Sequence, residues 1–144
     1  MRSRGIDGRD YKIVASAPRD VSRYLAAADA GLAFIKPCFS KLASSPTKYA
    51  EYLGCGLPLI INAGVGDSNA LVREHNAGVL IDGFTEADYL KGIEQLAVFT
   101  QAPEETRPAM RLVAERLFDL AKIGVEYYVR LYERVLALPR AVAQ

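Results

Sequence analysis

The sequence predicts an α/β fold: a Rossmann-like, doubly wound parallel sheet of about four strands with flanking helices. Segments of strand length alternate with segments of helical periodicity along most of the 144 residues. The strand segments are uniformly apolar, which is typical of parallel strands that are covered on both faces. The hydrophobic content of 51% is enough to bury a core, and the length is that of one domain.

The first part of the chain contains two of the predicted strands. Residues 1–10 are polar and charged, and we expect a disordered lead-in there. Tyr11–Ser16 is the first predicted strand and Ala30–Ile35 is the second, followed by a loop at Cys38–Ser44. Between the strands, a helix that begins at Asp20 or Ser22 is indicated by apolar residues at helical spacing: Val21, Tyr24, Leu25 and Ala28.

A helix with strong start and stop signals follows, and it leads into the third predicted strand. Ser45 is a favourable N-cap residue. Pro46 suits the first helical position, because an N–H group at this position has no partner within the helix and proline lacks that group. Gly54 and Gly56 are typical of a helix end. The uniformly apolar segment Leu57–Asn62 is then predicted to be a buried strand.

The start of this helix predicts an anion site. The backbone amides of Thr47 and Lys48 are left without helical partners, and the helix dipole favours negative charge at this end. Glu51 lies about one turn further on, and its charge would repel a phosphate, so we expect it to face a hydroxyl-bearing group beside the phosphate. Ligands of open parallel sheets bind at the carboxyl ends of the strands, where the loop from Lys36 leads into this helix.

The rest of the chain completes the alternating pattern. A short helix from Ser68 or Asn69 precedes the fourth strand at Gly78–Ile81, and a longer helix covers Phe84–Val98. Thr85 is its predicted N-cap, with Asp88 at the third helical position, which is close to a capping box.

Closing helices are predicted over residues 106–138, after a polar break at Thr100–Pro108. Apolar residues at helical spacing form one packing stripe before Gly124 and a second one after it. The first stripe consists of Met110, Val113, Leu117, Leu120 and Ala121, and the second of Val125, Tyr128, Val129, Tyr132, Val135 and Leu136.

Composition limits the expected partners and location. The formal net charge is +1, with 18 Lys and Arg against 17 Asp and Glu, which gives no reason to expect a nucleic-acid partner. Cys38 and Cys55 are too few for a disulfide framework and lack the spacing of a metal motif, so we expect reduced thiols and no metal. Residues 1–10 do not resemble a signal peptide, and no apolar run approaches the ~20 residues of a membrane span. We therefore expect a cytoplasmic protein, with attachment to the inner membrane surface left open.

Several sequence motifs, which occur in the same order as in that family, resemble the C-terminal half of group 1 glycosyltransferases. These are retaining, nucleotide-sugar-dependent enzymes of the GT-B fold. The resemblance extends from about Tyr11 to Leu138. The segments that carry it are Tyr24–Leu32, Ser45–Lys48, Glu51-Tyr52, Gly56-Leu57-Pro58 and the closing Tyr128–Glu133.

The resemblance implies a role for each residue of the predicted site. The helix start at Ser45, Pro46, Thr47 and Lys48 would hold the donor diphosphate, and Glu51 would accept hydrogen bonds from ribose hydroxyls. The family commonly has a second glutamate eight positions earlier, near the transferred sugar, where this chain has Ala43. Lys36, Lys41 and Ser44 are therefore the candidates for the sugar side. The donor is a nucleotide-diphosphate sugar, and neither a metal nor another cofactor is required.

The resemblance also implies that much of the enzyme is missing. The family's acceptor domain, its catalytic histidine and two strand-helix units have no counterpart in this sequence. We therefore interpret residues 1–144 as a partial donor-binding domain, N-terminally truncated, without a catalytic residue and inactive alone. In the family the two missing strands lie between the strands matching Tyr11–Ser16 and Ala30–Ile35. The first strand is thus expected to pair directly with the second or with another copy, giving a homodimer through the sheet edge.

Two other functions stay open at this point. The chain could be a nucleotide-binding module without activity of its own, or an interaction or receiver-like domain that binds no nucleotide. The latter is disfavoured because no acidic cluster follows an early strand. A dinucleotide fingerprint is incomplete at Gly64–Asp67, and His75, in a polar run, is predicted to be a surface residue. The nucleotide base, the sugar and the acceptor are not specified by the sequence.

Overall fold

The computed structural model describes residues 5–137, which form an α/β fold with a three-stranded parallel sheet. The strands are β1 (Gly31–Ala33), β2 (Leu59–Asn62) and β3 (Gly78–Ile81), and they lie in the order β1-β2-β3. Both neighbouring pairs are parallel, with Ile60 opposite Leu32 on one side and Val79 on the other. The predicted class is confirmed, and so are the strands predicted around β2 and β3.

Helices surround the sheet. They are α1 (Pro18–Ala26), α2 (Thr47–Gly54), α3 (Ser68–His75), α4 (Glu86–Gln101), α5 (Pro103–Phe118) and α6 (Val125–Ala137). A 3₁₀ turn at Phe39–Lys41 precedes α2, and a π-helical turn at Leu120–Gly124 precedes α6. α1 begins earlier than predicted because Pro18 occupies its first turn, where proline costs no hydrogen bond.

The core lies on both faces of β2, whose four residues are all buried. Leu59 and Ile61 belong to a cluster that includes side chains of α2, α3 and α5: Tyr49, Leu53, Leu71, Met110 and Ala114. On the other face, Ile60 packs with Val79 and Ile81 against partly buried residues of α4. A uniformly apolar strand is thus covered on both faces, as predicted for the centre of a parallel sheet.

The first of the four predicted strands, at Tyr11–Ser16, is not confirmed, since this segment pairs with no strand of residues 5–137, β1 included. The side chain of Ile13 is 85% exposed. Apolar content alone does not make a strand, because its backbone groups need a neighbouring strand to pair with. Within the predicted lead-in, the amide of Asp10 donates to the carbonyl of Asp7 in a turn, while residues 1–4 lie outside the described residues.

β1 also differs from the prediction, which had it longer and covered on both faces. Gly31 and Ala33 are buried, whereas Leu32 is 59% exposed and Phe34 is 39% exposed. Phe34 makes an edge-to-face contact with Tyr89 of α4 at a centroid distance of 5.6 Å. α4 therefore reaches only the end of this face, and β1 is an edge strand with one covered side.

The polar break predicted at Thr100–Pro108 is wrong, because α4 continues to Gln101 and α5 begins at Pro103. The polar residues there are helix-start residues. A proline at the first position and Glu104 and Glu105 in the first turn both favour the amino end of a helix. The hydroxyl of the buried Thr106 donates to the carbonyl of Phe99 at 2.8 Å, which joins the two helices.

The two predicted packing stripes have different outcomes. Met110 of the first stripe is buried, and Val113 and Leu117 pack against the same cluster, whereas Leu120 is 74% exposed and Ala121 is also exposed. The second stripe is exposed along α6, and Tyr132 is 64% accessible. Helical spacing of apolar residues predicts a face that is suited to packing, but it does not specify a partner, and within residues 5–137 this face is left uncovered.

Local capping signals were read correctly at two helix ends. At the end of α2, the amide of Leu57 donates to the carbonyl of Tyr52 and that of Gly56 to Leu53, which is a Schellman motif. Gly56 has a φ of +80°, the left-handed conformation that this motif requires. At the start of α4, Thr85 and Asp88 form the predicted capping box.

Candidate functional site

The amino end of α2 lies where the loop after β1 meets the turn after β2. α2 begins at Thr47, one residue later than predicted, and Pro46 is its N-cap residue, with a carbonyl that accepts from the amide of Tyr49 at 3.0 Å. Ser45 is therefore not the cap, which corrects the prediction. Its hydroxyl instead donates to Oδ2 of Asp67 at 3.2 Å, because a carboxylate accepts a stronger hydrogen bond than a neutral group.

The amides of Thr47 and Lys48 have no acceptor among residues 5–137. Both residues are exposed, and they occupy the first turn of an eight-residue helix. Two unpaired amides and the positive end of the helix dipole suit an oxyanion.

Three lysines of the loop after β1 and of α2 make no ion pair with any carboxylate of residues 5–137. In the described part of the chain, neither Lys36, Lys41 nor Lys48 has a carboxylate within 4.0 Å of its ammonium group. The backbone of Lys41 is fixed, since its carbonyl accepts from the amides of Ser44 at 3.2 Å and Gly66 at 2.9 Å. Lys41, Ser44 and Ser45 are thus brought together at the turn of residues 63–67, whereas no hydrogen bond or ion pair joins Lys36 or Glu51 to them.

Asn62 fixes the loop that follows β1. It is fully buried, its Oδ1 accepts from the amide of Ile35 at 2.7 Å, and its Nδ2 donates to the carbonyl of Ile35 at 2.9 Å. The same Nδ2 donates to the carbonyl of Ala63 at 2.9 Å. The Asn62 side chain therefore continues the link between β1 and β2 beyond the last paired residues, Ala33 and Ile61. The sequence placed Asn62 at the end of a strand, but it gave no sign of this function.

Glu51 lies at a groove between α1 and α2 that the sequence did not predict. The groove has a volume of about 370 Å³ and is lined by Pro18, Val21, Ser22, Leu25, Glu51, Gly54 and Cys55. The apolar side chains of α1 thus face a carboxylate one turn from the unpaired amides. The end of α1 is tethered by Arg107, whose guanidinium donates to the carbonyl of Ala26 at 3.3 Å and to that of Ala28, just beyond the helix, at 2.7 Å. A second cavity, of about 500 Å³, lies on the other side of α1 beside residues 15–17.

Tyr49 has an unusual environment under the helix start. Its side chain is 1% exposed, and its hydroxyl has no hydrogen-bond partner in the described structure. Burial, together with the negative charge of Asp67, raises the pKa of the Tyr49 hydroxyl. The sequence gave no reason to assign a function to Tyr49, because Asp67, whose charge acts on it, lies 18 residues further along the chain.

The other reactive or metal-binding side chains form no second site in the described residues. Cys38 is exposed in the loop after β1, and a contact of 3.3 Å with the hydroxyl of Ser40 lowers the pKa of its thiol. His75 is at the exposed end of α3. Across residues 5–137 no three His, Cys, Asp or Glu side chains are grouped as a metal site would require. None of the described helices is long and apolar enough to cross a bilayer.

Comparison with known proteins yields one similarity of note. Over 75 residues, which are 52% of this chain, the sequence is 37% identical to the D-inositol 3-phosphate glycosyltransferase of Thermomonospora curvata. The matched segment makes up 16% of that protein, so the similarity spans about one sixth of the curated relative. No protein-family profile matches the sequence, and no solved structure is significantly similar to it.

Proposed function

We propose that this chain is part of the donor-binding domain of a glycosyltransferase and binds the diphosphate and ribose of a nucleotide-diphosphate sugar. The observation that carries the proposal is the exposed start of α2. The unpaired amides of Thr47 and Lys48 lie there, one turn before Glu51 and its groove. The name of the matched relative supports glycosyl transfer as the reaction class.

The proposed ligand spans two kinds of surface. The diphosphate binds at the amides of Thr47 and Lys48, with Ser45 and Pro46 shaping the approach. Glu51 accepts hydrogen bonds from the ribose hydroxyls, and the nucleoside extends into the groove between α1 and α2. The sugar lies toward Lys41 and Ser44, with Lys36 available from the end of β1. No metal or other cofactor is part of this proposal.

In this proposal the chemistry is electrostatic. When the sugar leaves the donor, negative charge builds up on the diphosphate, and fixed amide dipoles stabilise it without having to reorganise. The enzyme is proposed to be a retaining, group 1, GT-B glycosyltransferase, in which another domain supplies the acceptor site and the catalytic histidine. The chain alone then binds the donor without transferring the sugar.

The open edge of β1 is part of the same proposal. Among residues 5–137, β1 pairs with β2 on one side only, and the side chain of Leu32 in β1 is 59% exposed. We propose that another strand covers this edge, and a second copy of the chain is one source of it. Light scattering that finds a monomer at every concentration would remove the homodimer from the proposal.

Titration calorimetry with UDP, GDP and ADP tests the donor site. At least one nucleotide is expected to bind the wild type, and Glu51→Ala is expected to weaken that binding by about tenfold or more, because a charged acceptor of two hydroxyls is lost. Glu51→Ala is expected to leave the affinity for inorganic pyrophosphate undiminished, because pyrophosphate has no ribose.

Glu74→Ala is the matched control, since Glu74 is an exposed carboxylate on α3, away from the groove. It removes the same charge and is expected to leave nucleotide binding unchanged. If none of the three nucleotides binds the wild type, the proposed function is wrong. Binding without hydrolysis of a nucleotide sugar is the result expected both for a partial donor-binding domain and for the alternative of a binding module that is inactive alone.

A further inference from the structure

β3 forms the other edge of the sheet, and part of its main chain faces away from β2. The carbonyls of Ala77 and Ile81 accept, both at 2.9 Å, from the amide that begins β2 and from the amide that follows it. Successive residues of a strand direct their N–H and C=O groups to alternate sides, so Gly78, Leu80 and Asp82 direct theirs to the edge. In the described part of the chain no strand pairs with that edge.

A groove with a volume of about 440 Å³ runs beside this edge, and Gly78 and Leu80 are among its lining residues. Val72 of α3 contributes to one wall, and Val98 and Phe99 of α4 contribute to the other. α3 packs on one face of the sheet and α4 on the opposite face. A strand added in this groove would therefore be covered by apolar side chains on both faces.

The chain itself contains a segment with the composition that such a groove requires. Residues 11–16 have the composition of a strand, pair with no strand of residues 5–137 and are exposed throughout, with Ile13 at 85% and Val14 at 40%. In an extended segment these two neighbouring side chains point to opposite faces, which suits apolar walls on both sides. β1 is a poorer match, because it has three residues and the side chain of Leu32 is left 59% exposed.

The charges of the groove and of the segment are complementary in one direction. Among the described lining residues, charge is confined to the carboxyl end of β3, where Arg73 and Asp82 form an exposed ion pair at 3.1 Å. The segment is charged at its amino end, where Asp10 and Lys12 precede the uncharged residues 13–17. Joining the two charged ends brings Lys12 to Asp82 and Asp10 to Arg73, and it makes the segment antiparallel to β3.

We propose that residues 11–16 of one copy of the chain add to the β3 edge of a second copy as an antiparallel strand, and that the second copy returns the same contact. Six extended residues span about 20 Å, which is enough to cover the edge of residues 78–82, about 16 Å long. Ile13 and Val14 then pack against the two walls. This inference goes beyond the proposed function, because it assigns a partner to a different edge of the sheet and does not require a nucleotide.

Sedimentation velocity of the full chain over a range of concentrations tests the exchange. The wild type is expected to dimerise, and two variants are expected to weaken dimerisation about tenfold or more. Ile13→Pro removes a main-chain donor from the segment, and Val98→Lys places a charge in the wall of the groove at a residue that is 71% exposed. The matched controls are Ile6→Pro and Leu90→Lys, which alter exposed apolar residues outside the segment and the groove and are expected to leave dimerisation unchanged.

Mixing the two weakened variants distinguishes this exchange from other dimers. Ile13→Pro retains an intact groove and Val98→Lys retains an intact segment, so one of the two contacts can form between them. The mixture is therefore expected to associate more tightly than either variant alone. A dimer in which groove meets groove or segment meets segment gains nothing from mixing, and that result would overturn the inference.

Two further results would also overturn it. One is a wild type that stays monomeric at every concentration, and the other is a dimer that Leu32→Lys dissociates and Val98→Lys does not, which would place the contact at β1. Circular dichroism of each variant checks that it is folded. Nucleotide binding, measured on the same preparations by calorimetry, reports on the donor site separately, so a failure of the exchange and a failure of the proposed function are distinct outcomes.

Discussion

Replacing Asn62 with alanine is expected to lower the free energy of unfolding by about 3 kcal/mol, a large share of the stability of a domain of this size. Asn62 is fully buried, and its amide makes three hydrogen bonds to main-chain groups of Ile35 and Ala63. Alanine leaves the amide and the carbonyl of Ile35 unpaired at a part-buried position and also opens a small cavity. Urea denaturation followed by circular dichroism measures the change.

Two further variants separate hydrogen bonding from cavity formation. Asn62→Asp keeps the shape but cannot donate to either carbonyl, and it buries a charge, so it is expected to destabilise at least as much as alanine. Asn69→Ala is the control, because Asn69 makes a single long bond of 3.4 Å to Gly64 and is expected to cost less than about 1 kcal/mol. Equal losses for Asn62→Ala and Asn69→Ala would show that the link between β1 and β2 contributes little.

Asn62 also illustrates which parts of the fold the sequence could predict. β2, β3 and the start of α4 were predicted from neighbouring residues: uninterrupted apolar runs in the strands, and the Thr85–Asp88 spacing in the helix. The partner of Asn62 is 27 residues away, and no local pattern indicates such a pairing. The same limit explains Tyr11–Ser16, which has the composition of a strand but no strand beside it.

The candidate site likewise has a part that local sequence predicts and a part that depends on contacts between distant residues. Thr47, Lys48 and Glu51 follow from one short helix, whose start and end signals are local. The groove beside Glu51 depends on where α1 lies, and the end of α1 is held by Arg107 through a hydrogen bond to the carbonyl of Ala26, 81 residues away. The contact of Ser45 with Asp67 spans 22 residues, so a sequence pattern that made Ser45 a helix cap could not show that Asp67 binds it instead.

Gly66→Ala is expected to destabilise the protein by about 3 kcal/mol and to abolish pyrophosphate binding. Gly66 has a φ of +44°, and a Cβ atom there would overlap the carbonyl oxygen of Ser44. The amide of Gly66 also donates to the carbonyl of Lys41 at 2.9 Å, so the two loops cannot separate without losing this bond. Because Ser44 leads directly into Ser45 and the start of α2, a displaced Ser44 displaces the proposed phosphate-binding amides.

Gly64→Ala is a matched control for Gly66→Ala, because it introduces a side chain at a positive φ without a steric overlap. Gly64 also has a positive φ, of +79°, but a Cβ atom there would meet only Pro37, at 3.6 Å. It is therefore expected to cost about 1 kcal/mol, the penalty for a left-handed L-residue, and to retain pyrophosphate binding. Comparing the two variants by urea denaturation and calorimetry separates the close approach of the loops from the conformational preference of glycine. Equal effects of the two substitutions would contradict a rigid contact between Gly66 and Ser44, and the proposed site would then need no fixed packing between these loops.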